Sequence, residues 1–319
     1  MHRQPTIGFP ALRSRFALLA IFLVALIWMA LPGGFAAKEI KPKGFATPEA
    51  AVQAFVDALR KNDAVELIKV LGPDGMDIIS SGDKVEDAAV KDRFLKDYDQ
   101  KHVVVAKGPE EAELLTGVDD WPFPIPVVKE GKTWILDAAA GLEEIQNRRI
   151  GRNELSTLDV LDSYVQAQRE YYRLDYDDDA VLEYAQKILS TEGQHDGLFW
   201  PVGEGEDPSP LGPLIAKAAG EGYKKQDAAP VPYHGYYFKI LTAQGPDAPG
   251  GAFSYVINGN MVAGYAAVAW PAEWDNSGLM TFVVNGNGVI YEKDLGEKTA
   301  ELAAAMNAYN PDATWRRAR

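Results

Sequence analysis

Acids crowd one short stretch, where Asp175, Asp177 and Asp179 alternate in DYDDDAVLEYA and Glu183 follows. Alternating carboxylates wrap oxygen ligands around a hard cation, so calcium is the one cofactor this chain's residues suggest. The stretch departs from the EF-hand pattern at Ala180, where glycine is needed, and at Gln186, where a bidentate glutamate is needed. The competing reading is an acidic, solvated cap on a helix that begins near residue 180. A second cluster is basic: Arg148, Arg149 and Arg152 stand together in a strongly acidic chain. Guanidinium groups so placed bind an anion or pair across an interface with Glu143 and Glu144. The third group is aromatic. Tyr233, Tyr236, Trp270 and Trp274 are candidate binding anchors, because exposed tyrosine and tryptophan concentrate contact energy; as core residues they would have no such role.

Recognisable catalytic patterns are missing. The chain has no G-x-S-x-G elbow, H-E-x-x-H pair or Walker loop, and no cysteine. NGNG at 285–288 precedes a strand pattern where a nucleotide loop precedes a helix. His195 and His234 have no histidine near them in sequence, so zinc is not expected. A glycosidase-like carboxylate pair stays open, since the folded separation of acids is not legible in a sequence. No catalytic residue is assigned.

These residues need elements to position them. Thr47-Pro48-Glu49 starts a helix with a hydroxyl cap, a proline and an acid, and Val52, Phe55, Val56 and Leu59 give it one apolar face. Asn62-Asp63 breaks it and caps a second helix, and a third is expected over 85–98. From residue 101 the period changes to that of four strands, with prolines at 122, 124 and 126 confining the third to an edge. A helix and hinge follow over 139–152, then a long helix over 153–174 with Leu155, Leu158, Leu161, Val165 and Tyr172 as its apolar stripe. Strands are expected at 234–243, 253–258, 262–270, 279–285 and 288–293, the last two joined by Asn-Gly turn chemistry, and a helix at 298–309 precedes an exposed basic tail. The class is α+β: N-terminal helices with a curved antiparallel sheet, then a long helix with an antiparallel sheet of four to five strands.

The first residues carry an address. Arg3, Arg13 and Arg15 precede an apolar run at 16–31, and Pro32-Gly33 and the small-x-small site Gly34-Phe35-Ala36 follow. That is a secretory signal over 1–37, cleaved near Ala36 or Ala37, which places the product in the periplasm or outside the cell. Only an uncleaved signal would tie it to a membrane. Without cysteine there is neither a lipid anchor nor a disulfide, so stability rests on apolar burial. The formal charge of −14 repels phosphate backbones, and nucleic acid is not an expected partner.

The motifs FATPEAA, DDWPFPIPVV, NRRIGRNEL, YVQAQREYY, GLFWP, SPLGPL, VAWPAEW and TFVVNGNGVIYEKDLG resemble the bacterial family known as domain of unknown function 2950. The resemblance spans the mature chain and implies an exported envelope protein, with no catalytic residue to transfer. Residues 44–142, opening FATPEAAVQAFVDALRKNDAVELIKVLG, resemble the nuclear transport factor 2-like cone. Such cones often enclose an apolar pocket, and in some relatives a carboxylate or histidine works inside it; His102, Asp77 and Asp83 are the residues this implies here. Residues 153–309 are similar to the globular part of pilin-like proteins, without the prepilin cleavage site or polymerising helix. Together these readings describe a non-catalytic binding or scaffolding protein of the envelope, with an envelope protein or glycan as partner. The alternative is an enzyme acting on a cell-wall or small-molecule substrate through the N-terminal pocket.

Overall fold

Helix starts sit at the capping residues. Thr47 Oγ1 accepts from Ala50 N at 3.2 Å and opens α1 (Pro48–Lys61); Asn62, in the left-handed region at φ 51°, closes it. Asp63 caps α2 (Ala64–Leu71), and Asp83 caps α4 (Lys84–Gln100) after a short α3 (Gly75–Ile79). The computed structural model describes residues 41–176, 179–203, 205, 208–223 and 231–319. The expected signal segment and Asp177 lie outside them. Among the described residues no helix is long and apolar enough to cross a membrane.

The first sheet is antiparallel, in the order β1 (His102–Ala106), β2 (Glu111–Thr116), β4 (Val127–Glu130), β5 (Thr133–Leu136). A two-residue β3 (Trp121–Pro122) also pairs with β2, and the prolines after it interrupt that edge before β4 resumes pairing. Asp137 then caps α5 (Ala138–Tyr171), a single helix of 34 residues. The hinge expected within 139–152 is absent. Gly141 is instead a packing residue: a Cβ there would lie 2.8 Å from Ile125 Cγ1 and 2.9 Å from Ile125 Cα, so glycine lets the proline segment close on the helix.

The apolar stripe of α5 is rotated from the expected one. Leu155 is 62% exposed and Tyr172 is exposed as well, while Asn153, Thr157, Leu161, Tyr164, Gln168 and Tyr171 are buried. Polar members occupy this face because each finds a partner. Gln168 is fully buried, donating from Nε2 to Ala185 O and accepting at Oε1 from Ala185 N. That exchange holds the 180–190 segment extended where a helix was expected. Bridges from Tyr184 to Met261 and from Leu189 to Phe199 extend the same path.

After α6 (Gly212–Glu221) the second half is built of short strands. β6 (Tyr236–Leu241), β11 (Ala266–Pro271), β12 (Met280–Asn285), β13 (Ile290–Asp294) and β15 (Arg316–Arg317) form an antiparallel five-stranded sheet in the order β15-β13-β12-β11-β6. Around it, β7 (Ala243–Gln244) lies between β8 (Phe253–Ser254) and β14 (Ala308–Tyr309), and β9 (Val256–Ile257) pairs with β10 (Asn260–Met261). The β14–β7 pair is parallel, against the antiparallel expectation. The last helix is only α7 (Thr299–Ala305), because the chain leaves it to make that pair. Nor is the basic tail free. Arg316 Nε lies 2.6 Å from Glu292 Oε1, and Arg319 donates to Asp159 and Asp162 on α5. The class is α+β, with one core around α1, α2 and the first sheet and a second between α5 and the large sheet.

Candidate ligand-binding cleft

A cleft of about 740 Å³ opens between α4, the first half of α5 and the Trp121–Pro122 edge. Its apolar wall centres on three rings: Phe55 to Phe123 at 5.4 Å, Phe94 to Phe123 at 5.0 Å and Phe55 to Phe94 at 5.8 Å between centroids. Helical periodicity supplies the rest. Glu86, Val90, Arg93 and Asp97 fall on one face of α4, and Ile145, Arg148, Arg149 and Arg152 on the facing side of α5.

The three arginines of the basic cluster do different work. Arg148 pairs with Glu144 at 2.6 Å and lies 5.5 Å from the ring of Trp121, which is 62% exposed. Arg149 is buried and donates to the carbonyls of Asp77 and Ile78 at 3.0 Å, and to Asn276 Oδ1. It therefore joins α3 and α5 to the loop before β12. Arg152 lies 3.9 Å from Glu86 Oε1, beyond hydrogen-bond range. Burial lowers the guanidinium pKa of Arg149, and more weakly that of Arg152, whose side chain is 41% exposed at the cleft mouth. Burial also raises the Asp87 carboxyl, against hydrogen bonds from Ser81 N and Oγ that hold it ionised.

Behind the cleft wall lies a polar knot. Asp83 is buried and fully engaged: Oδ1 accepts from Val85 N and Glu86 N, and Oδ2 from Tyr223 OH at 2.7 Å and Gly235 N at 3.0 Å. Tyr223 OH in turn accepts from His234 N. The His234 ring stands between two carboxylates, with Nδ1 3.4 Å from Glu86 and Nε2 3.1 Å from Glu221. Burial opposes charge on that ring, but the Glu86 contact and the charges of Glu221 and Asp83 outweigh it and hold His234 above 6.5. Glu86 moves the other way, below 4.5, chiefly through His234 and against its own burial. Burial first, and then Asp83, push the Tyr223 phenol far above its usual range.

The expected site residues are dispersed. His102 donates from Nδ1 to Tyr98 O at 2.8 Å and stacks on that ring at 3.8 Å, outside the cleft. Asp77 contributes its backbone carbonyl, and Asp83 is spent on caps and the knot. Of the four aromatic anchors, Tyr236 is a correction: its side chain is fully buried beside Phe282 and its hydroxyl donates to Met280 O at 3.0 Å. Tyr233, Trp270 and Trp274 are half-buried; Tyr233 meets Tyr223 edge-on, Trp270 meets Tyr237, and Trp274 donates to Asp294 Oδ1 at 2.9 Å. The described acids of the 175–183 stretch have partners close by. Asp175 accepts from Ala180 N, Asp179 from Val181 N and Asn260, and Glu183 from Met261 N. Those bonds pin the loop to β10. Among the described residues no three potential ligands converge on a metal position.

Sequence reasoning missed Arg93, Glu86, Tyr223 and the phenylalanine trio. The available signal was a face of α4 repeating charge beside apolar residues at 86, 90, 93 and 97. A family model described as Protein of unknown function (DUF2950) matches residues 42–318. The chain belongs to that family. No curated protein and no solved structure matches it.

Proposed function

We propose that this family member is an exported binding protein of the cell envelope that holds a small molecule in the cleft without transforming it. The observation that carries the reading is the cleft itself: about 740 Å³, within the size range of small-molecule sites, walled by Phe55, Phe94 and Phe123 and edged by convergent polar groups. The signal-like first residues support the address. The cone-like resemblance of residues 44–142 belongs to the same reading, and an apolar cleft over the first sheet supports it. The large sheet is the weaker candidate for a contact surface, since Tyr236 is core and Trp274 is tied to Asp294.

The test uses the full chain and a neutral, environment-sensitive fluorophore, N-phenylnaphthylamine. Saturable enhancement is expected, with loss of uptake in Val90→Trp, which fills the cleft from α4. Equal uptake by both proteins would remove the cleft from consideration. An enzymatic reading is favoured by one observation, the Asp87 carboxyl raised by burial at the cleft edge. Chemical change of a captured ligand by the wild type, abolished in Asp87→Asn with capture intact, would replace binding by catalysis.

A further inference from the structure

We propose that the cleft selects an amphipathic anion, seating an aliphatic or aromatic body against Phe55, Phe94 and Phe123 and one carboxylate or phosphate head at Arg93 and Arg152. The inference rests on the binding-protein reading above and adds the chemical class of the ligand. Its basis is charge left uncompensated in one place. The cleft is lined by five cationic side chains, Lys91, Arg93, Arg148, Arg149 and Arg152, against three carboxylates, Glu86, Asp87 and Asp97. That positive balance occurs in a chain whose formal net charge is −14.

Three of the five cations are already engaged. Lys91 donates to Asn62 Oδ1 at 2.6 Å, Arg148 pairs with Glu144, and Arg149 is consumed by the two carbonyls and Asn276. Arg93 and Arg152 differ. Among the described residues Arg93 makes no hydrogen bond or ion pair, and the nearest carboxylate to Arg152 is Glu86 at 3.9 Å. Glu86 lines the cleft as well, but its carboxylate is shared with His234. On Arg152 burial acts first, the Glu86 charge opposes it, and Arg93 and Arg148 then add like-charge repulsion that leaves the guanidinium below its ordinary value. An anion between Arg93 and Arg152 relieves that repulsion, and guanidinium forks match carboxylate and phosphate oxygens in pairs. The rings beside them offer no polar partner, so the remainder of the ligand is apolar.

Dodecanoate, dodecyl phosphate and dodecanol, each below its micelle concentration, distinguish the possibilities by calorimetry on the full chain at low and high salt. Both anions are expected to bind about tenfold or more tighter than the alcohol, as for a hydrogen-bonded charged head. Added salt should erode that preference and leave the alcohol unchanged. In Arg93→Gln/Arg152→Gln, checked for folding by its melt, the preference should vanish while alcohol binding persists. Equal affinity of acid and alcohol in the wild type overturns the anion assignment and leaves the apolar cleft standing. No binding of any of the three overturns both readings. A preference that survives in the double variant places the head elsewhere and overturns this assignment of residues.

Discussion

Asp83 concentrates the chain's local and long-range logic in one carboxylate. As a helix cap it is readable from SGDKVE, since a short acid before a helix accepts the first free amides. Its second oxygen is engaged from 140 and 152 residues away, by Tyr223 OH and Gly235 N. Asparagine would turn an acceptor into a donor against donors. Asp83→Asn should therefore cost about 2 to 4 kcal/mol in urea unfolding, and an unchanged midpoint would show that the buried bonds carry little. From the sequence a helix start was expected near residue 85, but neither Asp83 as its cap nor the knot. No residue pattern marks Tyr223 as its partner, because that pairing exists only once α4 and the 233–235 turn meet.

At the scale of elements, α5 is the decisive one. Its first half lines the cleft and its second half underlies the large sheet, so a break at the expected hinge would uncouple them. Gly151 sits mid-helix, and a Cβ there meets nothing within 4 Å. Gly151→Ala should thus raise stability by about 0.5 to 1 kcal/mol, read by chemical denaturation, through helix propensity and a less free unfolded chain. A loss of stability would reveal a flexing point that glycine serves. The strands of the large sheet were legible in outline from alternation and from the Asn-Gly turn. The rotated face of α5 was not, because Gln168 and Asn153 are buried by partners on distant segments, Ala185 and Ser277. Hydropathy alone assigned that place to Leu155.

Across the whole molecule the seam between the two cores is polar and pH-sensitive. His234, held above its ordinary 6.5, contributes fully below that pH and loses its contribution as pH rises through its higher folded value. Glu86, held below 4.5, contributes above that pH and loses its contribution as pH falls through its lower folded value. The seam is strongest between those limits. Glu221, Asp83, Tyr223 and Arg152 face the same pair and set its field. Melting temperature should decline as pH rises above about 6.5, and His234→Gln should flatten that decline. A wild-type melt insensitive to pH over that range would mean the seam does not open on unfolding.

The sequence alone determined the α+β class, the caps at Thr47 and Asp63, the proline-broken edge, the absence of disulfides and the family. Each is set by composition or by interactions within a few residues, which the chain's order states directly. Only the tertiary structure decided that Tyr236 is core, that Asp179 and Glu183 tie their loop to β10, and that Arg93 and Arg152 border one cleft. Those outcomes depend on which distant backbone donors and carbonyls reach a given side chain. A sequence lists the groups that need partners, and the fold settles which of them are satisfied internally and which are left facing an open cleft.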